Sequence, residues 1–265
     1  MLSTDFVPGA PNWLDLGTPD TAAAAAFYGA VFGWEFQSAG PDAGGYGFFT
    51  LDGKVVAGIG PLTEEGAVSS WTVYFHTPDA DATAEAVKRA GGRVRVAPAD
   101  VFSAGRMAQF TDSTGADFAV WQPGETAGFE TVGVPGALCW TELYTTDTAA
   151  ARAFYGAVFS WQFQDWPLDA ELAYTVVSPA GGGQEAGQGG IMQLQQQHLD
   201  AGTTPEWHPY FAVADCDATV ARATEAGATV LIPAMDVEGV GRLAMLLDPT
   251  GAAFALLTPD PSMGG

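Results

Sequence analysis

Two carboxylates at matching positions of a repeated sequence are the first candidates for chemistry. Asp15 lies in residues 13–17 and Glu142 in the later copy of that segment, and both segments alternate in the manner of a β-strand. A carboxylate on a half-buried strand carries a desolvation cost unless it is paired. Either residue could therefore act as a general acid or base. Alternatively, each could be a salt-bridged or backbone-bonded acid, with Arg106 and Arg242 as natural partners. These two arginines are also candidate ligand-binding residues.

The other reactive side chains are few. The three histidines, His76, His198 and His208, stand at spacings unrelated to one another. With only Cys139 and Cys216, neither a disulfide framework nor a cysteine zinc site can be built. Cys139 has no basic neighbour in the sequence, so nothing indicates a low-pKa nucleophile.

The charge balance restricts the class of ligand. Nine Lys and Arg against 31 Asp and Glu give a formal net charge of −22, which leaves no basic footprint for nucleic acid. The field should repel anions and attract cations, although acidity that serves only solubility is the alternative. No apolar stretch approaches the ~20 residues of a membrane span, and the first residues do not resemble a signal peptide. We therefore expect a cytoplasmic protein without a membrane partner.

An internal repeat organises the chain. Residues 9–37 align with residues 136–164 at an offset of 127, and 20 of the 29 positions are identical. Residues 71–123 align with residues 207–259 at an offset of 136, so the second copy gains nine residues, in the glycine-rich stretch 178–190. The repeat predicts a first domain at 1–123, a linker at 124–135 and a second domain at 136–265.

Within a copy, the pattern predicts a strand, a helix, three strands, a second helix and two or three further strands. Asp20 is a plausible N-cap of the first helix, which Gly33 ends. Asp79 opens the second helix, which Gly91 closes. In the first copy, strands are predicted at residues 13–17, 46–51, 54–59, 70–75, 106–110 and 117–121.

These motifs resemble those of the vicinal oxygen chelate superfamily, which contains glyoxalases, bleomycin resistance proteins and dioxygenases. The matching motifs are W-x-[DE]-L-x-T-x-D followed by FYGAVF-x-W, at residues 13–34 and 140–161, and D-x-T-G at residues 112–115 and 248–251. The resemblance covers nearly the whole chain. It implies an α+β fold of two tandem βαβββ-repeat modules whose curled mixed sheets form ligand cups.

Many members of the superfamily hold a divalent metal in the cup, and the resemblance locates those ligand positions. In this chain they are Trp13, Thr72 and Ala119 in the first copy, and Trp140, His208 and Ala255 in the second. Only His208 can ligate, whereas a divalent metal site needs about three good protein ligands. We therefore predict no bound metal and no cofactor, which argues against Lewis-acid chemistry of the glyoxalase I or extradiol dioxygenase kind.

Strand alternation from those positions predicts the residues that line the cups. They are Trp13, Asp15, Thr72, Tyr74, Asp117, Ala119 and Trp121 in the first copy, and Trp140, Glu142, Tyr144, His208, Tyr210, Ala253, Ala255 and Leu257 in the second. The opposite faces, including Leu14, Phe75 and Phe118, should pack against the helices. An aromatic lining with a few acids suits a flat organic ligand, including a cationic one.

Individual roles stay open at this point. Trp13 and Trp140 could serve core packing or ligand stacking. His208, the one histidine at a former ligand position, could transfer a proton or bond a ligand, or could be a satisfied structural histidine.

The leading functional prediction is metal-independent binding of a small aromatic or cationic organic molecule in a cup between the repeats, such as sequestration of an antibiotic by a resistance protein. The alternative is a metal-free isomerase, cyclase or lyase of secondary metabolism, in which Asp15, Glu142 or His208 moves protons. Because the two modules are fused, we expect a monomer with pseudo-dimeric repeats, with a homodimer as the other possibility.

Overall fold

The computed structural model describes residues 2–64, 66–167, 173–183, 186–200 and 202–260. The first repeat runs β1 (Pro11–Thr18), α1 (Thr21–Phe32), β2 (Glu35–Ser38), β3 (Gly47–Leu51), β4 (Lys54–Pro61), β5 (Ser70–His76), α2 (Ala80–Arg89), β6 (Arg93–Val101), β7 (Gly105–Thr111) and β8 (Asp117–Pro123). The second runs β9 (Leu138–Thr145), α3 (Thr148–Phe159), β10 (Gln162–Pro167), β11 (Ala173–Ser178), β12 (Gly189–Gln193), α4 (Gln196–Asp200), β13 (Glu206–Ala212), α5 (Cys216–Glu225), β14 (Thr229–Val237), β15 (Gly241–Leu247) and β16 (Ala253–Pro259).

Each repeat forms one mixed sheet of eight strands. The strand orders are β2-β3-β4-β1-β5-β8-β7-β6 and β10-β11-β12-β9-β13-β16-β15-β14. β1 pairs with β4 and β5 with β8 in parallel, and the same parallel pairs recur as β9 with β12 and β13 with β16. These sheets, with few helices, confirm the predicted α+β fold of tandem repeats. Among the described residues, no helix has the length and apolar character to span a membrane.

Two strands of each repeat had no predicted range: β2 was not predicted, and the predicted count of two or three final strands left β6 open. β2 has only four residues and is exposed throughout, so it carries no burial pattern. β6 contains Pro98, which counts against a strand in sequence because proline cannot donate to the ladder. β2 and β6 are the two edge strands of the sheet. An edge strand tolerates a proline because one side of its backbone has no partner strand.

The predicted helix ends are confirmed. The Asp20 carboxylate accepts from the Ala23 N–H at 2.9 Å, and Gly33 takes the left-handed conformation that ends α1. Asp79 caps α2 in the same way. Leu14, Phe75 and Phe118 were predicted to pack against the helices, and all three are fully buried. For Phe75 and Phe118 the contacts with Phe159 and Phe154 of α3 confirm this prediction.

The chain divides into two compact units that do not follow the repeats. Unit 1 comprises Met1–Trp13, Thr72–Gly128 and Trp140–His208, and unit 2 comprises Leu14–Trp71, Phe129–Cys139 and Pro209–Gly265. Each unit therefore combines half of one repeat with half of the other. Within unit 1 the helices α2 and α3 contact each other, and within unit 2 the helices α1 and α5 do so.

In unit 1 a buried hydrogen-bond network joins segments from the two repeats. The Asp112 carboxylate accepts from the Tyr155 hydroxyl at 3.0 Å, and that hydroxyl accepts from Trp207 Nε1 at 2.8 Å. The Tyr155 ring stacks on Trp161 with centroids 4.8 Å apart. The two motifs that carried the family resemblance therefore bind one another, with the tyrosine from one repeat and the aspartate from the other.

Unit 2 contains the same network. Tyr28 donates to Asp248 at 3.1 Å and accepts from Trp71 Nε1 at 2.9 Å. The Tyr28 ring stacks on Trp34 with centroids 5.4 Å apart. We call these two arrangements the Tyr–Asp latches.

The latches predict a loss of stability at alkaline pH. Burial, followed by the adjacent aspartate, raises the pKa of Tyr28 and Tyr155 well above the ordinary value, which is about 10 in the unfolded chain. Below that pH both states keep the proton and the stabilisation is complete. At higher pH only the unfolded state ionises, so the free energy of unfolding should fall by about 1.4 kcal/mol per pH unit for each tyrosine.

Urea unfolding at pH 9, 10 and 11 measures this slope. Tyr155→Phe should reduce the fall above pH 10 by about 1.4 kcal/mol per pH unit, which isolates the contribution of this tyrosine. An unchanged slope in Tyr155→Phe and in Tyr28→Phe would contradict the prediction.

Candidate functional site

Glu142 is a buried carboxylate at the centre of β9, in unit 1. Its side chain points to the face opposite fully buried Leu143, and the residue is 4% exposed. β12 runs parallel to β9, with Gly190 directly beside Glu142. A charged group at this depth requires hydrogen-bond donors.

Tyrosine hydroxyls supply those donors. Tyr144 donates to Glu142 Oε2 at 2.8 Å. Tyr174, on β11, also donates to Glu142 and accepts from Trp140 Nε1 at 2.8 Å. Burial, followed by the charge of Glu142, raises the pKa of Tyr174 well above its ordinary value, so the hydroxyl keeps the proton that it donates. Trp140, Tyr174, Glu142 and Tyr144 thus form one connected network.

Gly190 makes room for this network. A Cβ atom at that position would overlap the Tyr174 hydroxyl and ring. Only glycine therefore lets Tyr174 lie across β12 and reach Glu142.

His208 lies next to the network, on β13. Its ring makes an edge contact with Tyr144, with centroids 5.0 Å apart. Its Nε2 lies 2.9 Å from Glu206 Oε1, and the residue is 4% exposed. Four of the predicted site residues, Trp140, Glu142, Tyr144 and His208, therefore lie together in unit 1.

The first repeat contains a simpler version of the network in unit 2. Tyr46 donates to Asp15 at 2.5 Å, and Gly58 lies beside Asp15 in the parallel strand. A Cβ atom at Gly58 would overlap both side chains. At the position of Tyr144 this repeat has Gly17.

The remaining predicted residues are divided between the units. Unit 1 contains Trp13, Thr72, Tyr74 and Trp121. Tyr74 and Trp121 are buried, and the indole N–H of Trp121 bonds the Thr126 carbonyl at 2.8 Å. Unit 2 contains Tyr210, which is buried and lies beside Ala255. Binding roles for these residues stay predictions.

The predicted arginine partners of the two acids were wrong. Arg106 binds Asp81 and Asp100, at 3.0 and 2.8 Å. Arg242 binds Asp217 and Asp236, at 2.6 and 3.0 Å. In each case one acid lies on the neighbouring strand of the hairpin and the other in the first turn of a helix. These two acids balance the charge of the arginine near the surface. The acids use tyrosine hydroxyls instead, because a neutral donor is cheaper to bury than a guanidinium.

The residues at the former metal positions do not fit a divalent ion. In the first repeat they are Trp13, Thr72 and Ala119, and in the second Trp140, His208 and Ala255. The Trp140 indole N–H is bound to Tyr174, and an indole has no lone pair for a metal. Across the described ranges, no group of three or more His, Cys, Asp and Glu side chains could hold a metal ion.

Tyr174, Glu206 and Gly190 were not predicted from the sequence. Tyr174 has Tyr46 as its counterpart, so a repeated tyrosine was available as a signal. The offset between them is 128, outside the two aligned blocks, which hid the match. Glu206 has Ser70 at the corresponding position, so it has no repeated signal.

Two surface cavities lie elsewhere. One of about 220 Å³, in unit 1, is lined by residues that include Phe102, Arg106 and Gln122. The other, of about 200 Å³ in unit 2, is lined by residues that include Phe32, Asp215 and Arg222. Neither lining includes the acids or the histidine of the networks.

Comparison with protein-family models gives two matches. The model described as glyoxalase/bleomycin resistance protein/dioxygenase superfamily matches residues 10–120. The model described as glyoxalase-like domain matches residues 140–257.

Similar proteins cover nearly the whole chain. Anthracycline biosynthesis protein DnrV of Streptomyces peucetius is 43% identical over 272 residues, covering 96% of this chain and 94% of that protein. CFP32 of Mycobacterium tuberculosis, provisionally named a glyoxylase, is 38% identical over 263 residues, covering 97% of this chain and 98% of its own. The 2,3-dioxygenase LapB of Pseudomonas sp. KL28 is similar in fold, with a TM-score of 0.63 at 13% identity and 96% coverage of each chain.

Proposed function

The chain belongs to the glyoxalase/bleomycin resistance protein/dioxygenase superfamily, and we propose that it binds a small aromatic molecule of secondary metabolism in its second repeat, without a metal held by the former ligand positions. The observation that carries this proposal is the buried Glu142 with its two tyrosine donors beside His208. Such a group of aromatic rings and oriented polar atoms is typical of small-molecule sites.

The side chains around Glu142 are complementary to a flat ligand with polar substituents. Trp140, Tyr144 and Tyr174 offer aromatic surface, and all three are only partly buried. Their polar atoms are fixed by the Glu142 network, so they keep a defined direction and lose little entropy on binding. The net charge of −22 favours a neutral or cationic ligand over an anionic one.

The relatives support a ligand class. DnrV is named for anthracycline biosynthesis and is similar over nearly its whole length. Anthracyclines are flat, fused-ring aromatic compounds, which suits the aromatic side chains of the second repeat. An anthracycline or a biosynthetic precursor of that type is therefore the ligand that we propose.

The test is titration of the purified protein with a fused-ring quinone, in which quenching of tryptophan fluorescence measures binding. Glu142→Gln keeps the volume of the side chain but removes the charge that orients Tyr144 and Tyr174. We expect it to weaken binding about tenfold, which corresponds to about 1.5 kcal/mol, the lower end of the contribution of a hydrogen bond to a charged group.

Asp15→Asn is the matched variant in the first repeat, and it should leave this affinity unchanged. Equal losses in Asp15→Asn and Glu142→Gln would contradict a site in the second repeat. Absence of quenching by any fused-ring quinone would overturn the ligand class.

A second candidate function is acid–base catalysis on the same ligand. It is favoured by the contact between His208 and Tyr144, whose hydroxyl bonds Glu142, so that two groups able to exchange protons lie side by side. A catalyst should lose orders of magnitude in rate in Glu142→Gln, whereas a binding protein should lose only affinity.

A further inference from the structure

We infer that Nδ1 of His208 accepts a hydrogen bond from a hydroxyl group of the ligand, and that Glu206 is the positioning residue that keeps this nitrogen available. The inference rests on the proposed function and narrows it. The ligand would carry a hydrogen-bond donor on its aromatic framework, and a derivative with that donor blocked would bind less well.

The tautomer of His208 follows from its contact with Glu206. Nε2 lies 2.9 Å from Glu206 Oε1. An ionised carboxylate has no proton to donate, so the proton of this hydrogen bond is on Nε2. A neutral imidazole carries one N–H, and Nδ1 is then left with a lone pair that can only accept.

That lone pair has no partner in the described part of the protein. Nδ1 is buried and makes no hydrogen bond to any described residue. An unsatisfied buried acceptor is unfavourable, and such atoms are rare in folded proteins. A donor brought by a ligand would remove that cost.

The neighbouring polar groups cannot supply this donor. The Tyr144 ring contacts the imidazole, but its hydroxyl proton is directed to Glu142. Glu142 is itself an acceptor in both of its tyrosine hydrogen bonds. Nδ1 is fully buried, so a ligand reaches it only after a neighbouring side chain moves.

The feature is confined to the second repeat. Ser70 and Thr72 stand at the positions of Glu206 and His208 in the first repeat. Neither can form a histidine–carboxylate pair. Recognition of a hydroxyl group by this pair should therefore depend on one repeat alone.

The first test compares two probes that differ by one methyl group, 2-(hydroxymethyl)anthraquinone and its methyl ether. We expect the wild-type protein to bind the alcohol about tenfold more tightly in calorimetry, since the ether leaves Nδ1 unpaired. His208→Phe keeps an aromatic ring without the acceptor, and the ratio of the two affinities should fall to about one.

The outcomes separate the inference from the proposed function. If the wild-type protein binds neither probe, the proposed function fails together with the inference. If it binds both equally, or if the preference persists in His208→Phe, binding stands and the inference is overturned.

The second test reads the tautomer directly, by nitrogen-15 NMR of the imidazole rings. With three histidines in the chain, the signals of His208 are identified by their loss in His208→Phe. We expect a protonated Nε2 and an unprotonated Nδ1. A proton on Nδ1 in the wild-type protein, in either the neutral or the charged ring, would overturn the inference.

Glu206→Gln tests the positioning role. An amide can offer either a donor or an acceptor to Nε2, so the ring should become a mixture of tautomers and the preference for the alcohol should fall. Glu225→Gln, at an exposed position of α5, is the control that should change neither readout. If the Glu206→Gln variant keeps the wild-type tautomer of His208, Glu206 does not set that tautomer.

Discussion

Asp112→Ala should lower the free energy of unfolding by about 4 kcal/mol, a large share of the 5–15 kcal/mol typical of a folded domain. Asp112 Oδ1 accepts from the backbone N–H groups of Thr114, Gly115 and Ala116, at 2.7 to 3.0 Å. Oδ2 accepts from the Tyr155 hydroxyl at 3.0 Å. Alanine leaves these donors unsatisfied in a buried region. Urea unfolding followed by circular dichroism measures the change.

Two further substitutions make this result interpretable. Asp248→Ala, in the equivalent latch of unit 2, should be about as damaging, since Asp248 also accepts from Thr250, Ala252 and Tyr28. Asp117→Ala removes a surface acid that binds Arg95 and Thr111, and should cost at most about 1 kcal/mol. Similar losses for Asp112→Ala and Asp117→Ala would mean that the latch contributes little.

The latches also explain which parts of the fold could be predicted from sequence. The D-x-T-G motif was recognised through the family resemblance, and Asp112 closes the turn between β7 and β8 through local backbone hydrogen bonds. Its second role, as the acceptor for a tyrosine of the other repeat, could not be predicted. Tyr155 is 43 residues away, and no local pattern indicates which of the aspartates it meets.

For the site, too, the sequence predicts local features but not long-range partners. Alternation along β9 put Trp140, Glu142 and Tyr144 on one face, because the side-chain period of a strand is fixed. The family resemblance added His208, and the structure brings it into contact with Tyr144. Their role as a ligand site stays a prediction. The choice of partner for Glu142 was not predictable in the same way. A charge-based expectation selected Arg242, but the ladder register places Gly190 beside Glu142 and thereby admits Tyr174. Register depends on long-range pairing, which one sequence does not reveal.

Gly190→Ala should therefore disrupt the second repeat's site more than any removal of a single polar atom. The added Cβ would overlap the Tyr174 hydroxyl, so the tyrosine must leave both Glu142 and Trp140. Losing two oriented hydrogen bonds should weaken binding of a fused-ring quinone by about 30- to 100-fold. The crowding should also cost about 1–3 kcal/mol of stability. Fluorescence titration and urea unfolding measure the two effects.

A double variant tests whether Gly190→Ala weakens binding by displacing Tyr174. If the Cβ acts by displacing Tyr174, then Tyr174→Ala alone should weaken binding by a similar factor, and the double variant should be no worse than either single one. Gly183→Ala is the control, because a Cβ there meets no atom within 4 Å. Additive losses in the double variant would show that Gly190 acts through a different neighbour, and Tyr174 would then lose its place in the proposed site.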